Sequence, residues 1–287
     1  MSWLEDMQRA LNFIEKNLTN KIDMNDIAKV ANVSSSHFQR IFAILTDVSV
    51  GEYMRRRRLT LAGNELLQGE EKIIQIAYKY GYETPESFTK AYRKQHGVTP
   101  SETRKGIGSL QIYNPLVIHI QLKGAEPMKV RVVEKKEFLI TGTKRSYSYE
   151  NDENTREIPK LWDEVNSNGT ADDIFTFNTG EIKGLMGVCV DETKVDGCDM
   201  DYWIAVTTSA EHQNDKYETL TVPGGKWAVF EVHGPMPHSM QKVWQQIYAE
   251  WMPASGYKQS GKISFELYGE GNPHSENYYS EIWIPII

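Results

Sequence analysis

Two segments about fifty residues apart carry the same pattern, and the second carries it with one residue more. The first is DIAKVANVSSSHFQRIF, Asp26 to Phe42; the second is QIAYKYGYETPESFTKAY, Gln75 to Tyr92. Ile27, Ala28 and Val33 match Ile76, Ala77 and Tyr82. Glu83 is then extra, and Ser34, Phe38, Arg40 and Phe42 match Thr84, Phe88, Lys90 and Tyr92. Each copy reads as a short helix, a tight turn and a second helix opened by a hydroxyl. Ser34 and Thr84 stand where an N-cap oxygen is needed, and Pro85 follows where a missing N–H costs nothing. This is the pattern of a helix-turn-helix. Two on one chain imply a reader of two adjacent turns of DNA that needs no partner subunit.

Helical spacing of apolar residues extends beyond the two copies, over Asn12–Leu18 and over Val50–Leu67. At 1.5 Å per residue the latter spans roughly 27 Å, enough to hold two recognition helices about one DNA turn (~34 Å) apart. Between the apolar positions of the recognition helices lie the outward ones: Ser35, Ser36, His37, Gln39 and Arg40, then Pro85, Glu86, Ser87, Thr89 and Lys90. Arg40 suits guanine O6 and N7, Gln39 suits adenine N6 and N7, and Glu86 either accepts from cytosine N4 or repels phosphate. The plain alternative is two solvated helix faces, which the duplication and the matched caps disfavour. Arg55–Arg58 concentrate positive charge, with one or two expected to reach phosphate and one to pair with a nearby acid.

Charge separates the chain into halves. Residues 1–106 carry 16 Lys and Arg against 13 Asp and Glu; residues 107–287 carry 16 against 26. A net charge of −7 over 287 residues therefore hides a basic first part and an acidic second part with different partners. The chain has no run of about 18 apolar residues, so no membrane span or membrane partner is expected. The N-terminus reads as an amphipathic helix with acids near its start, not as a signal peptide. Two cysteines, Cys189 and Cys198, are too few for a disulfide framework and read as free thiols. The expected location is cytoplasmic.

Residues 107–127 change character, with Gly and Pro around an apolar run, and read as a linker with a strand-like segment at Leu116–Leu122. From Met128 the chain alternates apolar and polar residues. Ile158–Val165 reads as a helix, and Gly184–Val190 and Tyr202–Thr208 as strands. Then the pattern repeats. ETLTVPGGKWAVFEVHGPM resembles VRVVEKKEFLITGTKRS, with Phe138 opposite Trp227. KVWQQIYAEW resembles KLWDEVNSNG, with Trp162 opposite Trp244. KISFELYGE resembles KGLMGVCVDE, and YSEIWIPI resembles DYWIAVTT. The expected fold is thus multidomain: an all-α double helix-turn-helix domain over 1–106, a linker over 107–127, and an α+β domain over 128–287. The last is built of two strand-strand-helix-strand-strand units related by a pseudo-twofold, set edge to edge with a groove on the axis.

Six of the seven Trp lie beyond residue 107, several beside acids. A carboxylate in an aromatic box is the chemistry for an organic cation. Alternation alone leaves open that these aromatics are core and the acids face outward. His233 and His238 flank GPMP with no evident third ligand, so no metal site is expected. Neither a phosphate loop, a G-x-S-x-G elbow nor an H-E-x-x-H helix occurs, and no cofactor is expected.

On the strings IAKVANVSSSHFQRIF, VGEYMRRRRLTLA and IIQIAYKYGYETPESFTKAYRKQHGVTPSETRK, residues 8–106 resemble the DNA-binding domain of the AraC/XylS family of transcription regulators. The resemblance implies double-stranded DNA as partner and base contacts from Ser36, Gln39, Arg40, Glu86, Ser87, Thr89 and Lys90. Ser36 is smaller than the residue relatives often carry, and Pro85 and Glu86 replace frequent amides. GGKWAVFEVHGPM, VWQQIYAEWMPASGY, SFELYGE and EIWIPI make residues 128–287 resemble a GyrI-like small-molecule-binding domain, and the order of the two resembles the Rob-type arrangement. This second resemblance implies a small effector, lipophilic and cationic or aromatic, with Glu266 as pocket carboxylate. Glu281 is a second candidate, and Trp203, Trp227, Tyr268 and Trp283 are candidate walls. RNA polymerase is a further partner to consider. Two other readings stay open: a small-molecule hydrolase with Glu266 as general base, and a protein-interaction module.

Overall fold

The computed structural model describes residues 3–118, 128–149, 152–191, 193, 195–212 and 215–287. The chain divides into two compact units, Met1–Phe38 with Val48–Gln121, and Gln39–Asp47 with Leu122–Ile287. None of the described helices is long and apolar enough to cross a membrane.

Seven helices open the chain among the described residues: α1 (Trp3–Lys16), α2 (Met24–Val30), α3 (Ser35–Thr46), α4 (Val50–Gln68), α5 (Ile73–Lys79), α6 (Pro85–His96) and α7 (Pro100–Arg104). The two helix-turn-helix copies close their turns alike. Val33 N–H donates to Ala28 O at 3.2 Å, and Tyr82 N–H donates to Ala77 O at 3.0 Å. Such a turn needs one residue in the left-handed region, which Asn32 (φ 56°) and Gly81 (φ 84°) supply at matched positions. The expected caps are present: Ser34 Oγ accepts from His37 N–H at 3.2 Å and Thr84 Oγ1 from Ser87 N–H at 3.1 Å. Leu59, Ala62, Leu66, Ile76, Ala77, Phe88 and Tyr92 form the core around the second copy.

The four consecutive arginines have partners inside the unit, and more of them than the one expected pair with an acid. Arg55 and Arg56 share Glu52, at 2.7 and 2.5 Å. Arg57, with 7% of its side chain exposed, pairs with Glu15 at 2.8 Å and ties α1 to α4. Arg58 Nε donates to Leu18 O at 2.6 Å. Four successive positions point all round a helix, so Arg57 is buried while Arg55 and Arg56 stay about a third exposed.

Residues 110–118, in the segment expected to be linker, run along α4. Tyr113 N–H donates to Thr60 Oγ1 at 3.1 Å, Leu116 N–H to the Tyr53 hydroxyl at 3.1 Å, and Arg57 to Tyr113 O. Of the strand expected at Leu116–Leu122, residues 116–118 show none and the rest lies outside the described residues. The described backbone bonds of this strap go to side chains of α4, α6 and α1 and not to a sheet.

Gln111 N–H donates to His96 Nδ1 at 3.2 Å, so the proton sits on Nε2, which faces Leu59 O at 3.2 Å. Burial holds this imidazole below its ordinary pKa. A base with a depressed folded pKa binds fewer protons folded than unfolded. Its contribution is present above the unfolded value near 6.5 and is lost as pH falls below it. Melting temperature is expected to drop between pH 7.5 and 5.5, and the drop to shrink in His96→Gln. An equal pH slope in both proteins would remove His96 from the account.

The second unit is one antiparallel sheet of β1 (Val130–Lys135), β2 (Phe138–Tyr147), β3 (Leu185–Val190), β4 (Met200–Thr208), β5 (Glu218–Val222), β6 (Gly225–His233), β7 (Ile263–Tyr268) and β8 (Tyr279–Ile286). Its helices are α8 (Glu153–Ser167), α9 (Thr170–Phe175) and α10 (His238–Gln246), the last running through a π-turn at Ile247–Trp251 into α11 (Met252–Ser255). The strand order, β1-β6-β8-β7-β3-β4-β2-β5, is symmetric about the β7–β3 junction. The two repeat units therefore meet edge to edge there, as expected, and each pairs its first strand with the second strand of the other.

The sheet also curls. Phe138 on β2 and Trp227 on β6 are five strands apart, about 24 Å in a flat sheet, yet their ring centroids lie 6.4 Å apart. The inner face closes on itself around Met186, Val188, Trp203, Trp227, Phe265 and Trp283. The other face carries the helices; α8 covers Tyr147, Tyr202 and Ile204 through Leu161 and Val165.

Candidate functional site

Alternation along β7 sends Phe265 and Leu267 into the curled core, which leaves Glu266 and Tyr268 on the helix-covered face. Across the β7–β3 junction Glu266 pairs with Gly187. Two helices bring indoles to this point. Trp244 of α10 donates its Nε1–H to Glu266 Oε1 at 2.7 Å, and the Tyr268 hydroxyl donates to Oε2 at 2.6 Å. Trp162 of α8 donates Nε1–H to the Tyr202 hydroxyl at 2.9 Å, and its ring meets Tyr268 edge-on at 5.1 Å. Tyr248 stacks on Trp244 at 5.8 Å.

Burial raises the Glu266 carboxyl above its ordinary pKa, while the Tyr268 and Trp244 donors pull it back. Burial, with Glu266 beside it, pushes the Tyr268 hydroxyl well above its usual value and keeps it a donor. The arrangement is a half-buried carboxylate ringed by two indoles and two phenols. Such an arrangement suits a cation by charge and an apolar body by aromatic surface.

Of the residues expected to form the pocket, Tyr268 stands with Glu266. Trp203, Trp227, Trp283 and Glu281 do not. Trp283 pairs across strands with Phe265 and packs on it at 5.2 Å, and Trp227 lies 6.3 Å from Trp283, all on the inner face. Trp203 belongs to the same core. Glu281, opposite Leu267, is 5% exposed and already paired: Arg131 lies 2.7 Å away, and Trp283 Nε1–H donates to it at 2.8 Å. These four are corrected to inner core and its ion pair, because strand parity puts them on the face opposite Glu266. Trp162, Trp244, Tyr202 and Gly187 complete the site instead. The match of Trp162 to Trp244 in the internal repeat was the available signal for the first two.

Ser36, Gln39 and Arg40 sit on α3, and Glu86, Thr89 and Lys90 on α6, each set at i, i+3, i+4 spacing; Gln39 and Arg40 fall in the second unit and are 7% exposed, with Arg40 3.1 Å from Asp191. Glu86, Ser87 and Lys90 are exposed and Thr89 is half-buried, around a buried Phe88. Ser87 Oγ donates to Thr84 O at 2.8 Å, which leaves its lone pairs to accept. Arg93 and Lys94, not singled out from the sequence, line the same surface groove as Glu86, Thr89 and Lys90. With Lys90 they make a cationic edge that suits phosphate.

Residues 131–286 match the family described as integron-associated effector binding protein, and residues 27–106 match a helix-turn-helix domain family. The chain is 36% identical over 114 residues to the HTH-type transcriptional activator AarP of Providencia stuartii, covering 39% of this chain and 84% of AarP. It is 33% identical over 104 residues to the regulatory protein SoxS of Escherichia coli K12, covering 36% of this chain and 97% of SoxS. The structure of SAV2435 bound to tetraphenylphosphonium is similar at 28% identity and a TM-score of 0.49, over 56% of this chain and 94% of that one. The chain belongs to the integron-associated effector-binding proteins through its second unit and to the AraC-type regulators through its first: it is a DNA-binding transcription regulator carrying a GyrI-like effector-binding domain.

Proposed function

We propose that the regulator takes as effector a lipophilic organic cation seated on Glu266. The observation that carries this is the Glu266 carboxylate, half-buried and receiving one donor on each oxygen from Trp244 and Tyr268; the nearby Arg40 guanidinium also favours its ionised form but is itself paired with Asp191 at 3.1 Å. Trp162, Tyr202 and Tyr248 extend the aromatic surface. We read the site as binding and not catalysis. Both carboxylate oxygens are already engaged, by the Trp244 indole N–H and the Tyr268 hydroxyl. Recovery of a bound cation unaltered after prolonged incubation is the expected result, and its conversion to product would favour a hydrolase.

Ser36, Gln39 and Arg40 are proposed to read one major groove in a DNA-bound state in which Gln39 and Arg40 leave their buried positions (7% exposed each) and Arg40 leaves Asp191, its partner at 3.1 Å; Glu86, Ser87, Thr89 and Lys90 are proposed to read the next, with Arg93 and Lys94 on phosphate. One chain then covers an asymmetric site of about 20 base pairs. In selected-site binding at fixed salt, Arg40→Ala is expected to cost about 1–3 kcal/mol and to relax preference at one base position. Equal loss on every sequence would make Arg40 a phosphate contact, and a palindromic footprint filled by two chains would sink the one-chain reading. RNA polymerase is proposed as the second macromolecular partner, on the similarity to AarP, an activator.

A further inference from the structure

Helix α3 is buried on all sides where its counterpart α6 is not. Phe38, Gln39, Arg40, Ile41 and Phe42 are all buried, none more than 7% exposed. In the matching run of α6, Phe88 to Tyr92, only the two aromatic ends are buried; Lys90 is exposed, and Thr89 and Ala91 are half-buried. Phe38 and Phe42 are the core positions that helical spacing demands, whereas Gln39 and Arg40 are not. The boundary between the units falls at this point: Phe38 belongs to the first, and Gln39–Asp47 to the second.

A buried amide and a buried guanidinium persist only with partners. The second unit supplies an acid for each. Arg40 Nη2 lies 3.1 Å from Asp191 Oδ2, whose side chain is 1% exposed. Arg40 Nη1 donates to the Ser264 hydroxyl, and the guanidinium carbon stands 6.0 Å from the centre of the Trp244 ring. Gln39 Nε2 donates to Asp199 Oδ1 at 3.5 Å, and the other oxygen of Asp199 is fixed by the Ser148 hydroxyl at 2.8 Å and the Tyr149 N–H at 2.9 Å. Asp191 directly follows β3 and Asp199 directly precedes β4. The guanidinium fork that fits a carboxylate is the one that fits guanine O6 and N7, and the glutamine amide is the group that fits adenine. These acids and DNA bases therefore compete for the same donors.

We propose that Asp191 and Asp199 form an autoinhibitory latch: by holding Arg40 and Gln39 they withhold the first recognition helix from DNA, while α6 stays open to it. This rests on the reading of Gln39 and Arg40 as base contacts, and adds that the two helix-turn-helix motifs are unequal in the free chain. The apparent affinity for DNA is then the intrinsic affinity scaled by the fraction of chains unlatched. A chain unlatched about a tenth of the time binds about tenfold more weakly than one that is always open.

The test is an anisotropy titration of the full chain, at fixed salt, against a labelled duplex that the natural chain selects from a random pool. Asp191→Asn keeps the shape of the side chain and removes its charge, and is expected to bind about tenfold tighter. Glu181→Gln makes the same charge change at an acid of the same unit whose side chain is 85% exposed, and is expected to shift affinity less than twofold. A gain under threefold in Asp191→Asn, or an equal gain in Glu181→Gln, overturns the latch. Should Asp191→Asn fail to fold by circular dichroism, Ser264→Ala decides, since it removes the other acceptor of Arg40: a gain of threefold or more supports the latch, and a smaller one overturns it. Arg40→Ala separates the latch from the reading beneath it. In the Asp191→Asn background it is expected to cost more than in the natural chain, where it also releases the latch. Tighter binding by Asp191→Asn, with no cost from Arg40→Ala in that background, would keep the latch and discard Arg40 as a base contact. Failure of every form to select a duplex would discard both.

Discussion

Glu266→Gln is expected to weaken binding of a lipophilic monocation by roughly 30- to 1000-fold, about 2–4 kcal/mol, as for removal of one partner of a desolvated charge pair. Glutamine keeps the shape and still accepts a hydrogen bond, so Trp244 and Tyr268 lose little packing. What it lacks is the charge. A neutral analogue of equal size should therefore change less than threefold. The comparison matters more than either number, because loss of fit would weaken both compounds alike. Binding can be followed by indole fluorescence, since Trp244 donates to the carboxylate and Trp162 lies one phenol away through Tyr268. Equal loss for both compounds, or no loss for either, would show that Glu266 is not the counter-charge.

Arg57→Ala is expected to destabilise the helical unit by about 3 kcal/mol. Breaking a buried ion pair by removing one partner leaves the other charge stranded, at a cost of roughly 3–5 kcal/mol. The side chain of Glu15 is 20% exposed, which favours the lower end. Arg57 also donates to Tyr113 O, so the strap along α4 loses an anchor. The full chain should show the effect as an earlier urea transition at 222 nm, where helix dominates. Replacing both partners, Arg57→Met with Glu15→Leu, should recover more than half, because no charge is then left alone. A loss under about 1 kcal/mol in Arg57→Ala, with a clear fall in DNA affinity, would return Arg57 to the phosphate-contact role expected from its place in a run of four arginines.

The sequence alone determined whatever depends on neighbours along the chain. A hydroxyl before a helix must meet the free N–H two or three residues on, so Ser34 and Thr84 were legible as caps. Apolar spacing marked Phe38 and Phe88 as core, and the internal repeat matched Trp162 with Trp244 and Phe138 with Trp227 before any contact was known. Glu266 came from resemblance, carried by its strand motif. Tertiary structure decided which face of the sheet each aromatic joins. Alternation assigns residues to two faces but does not name them, and here both faces are apolar, one curled on itself and one under helices. Trp203, Trp227, Trp283 and Glu281 were thus as plausible as Tyr268 until cross-strand register tied them to Phe265 and Leu267. The same holds for Arg55–Arg58. Their charge is written in the chain, but Glu52 and Glu15 reach them only because α1 folds against α4. Local rules act over a few residues. Whether a charge meets an acid, a phosphate or water is settled by groups that come close only when the chain has folded.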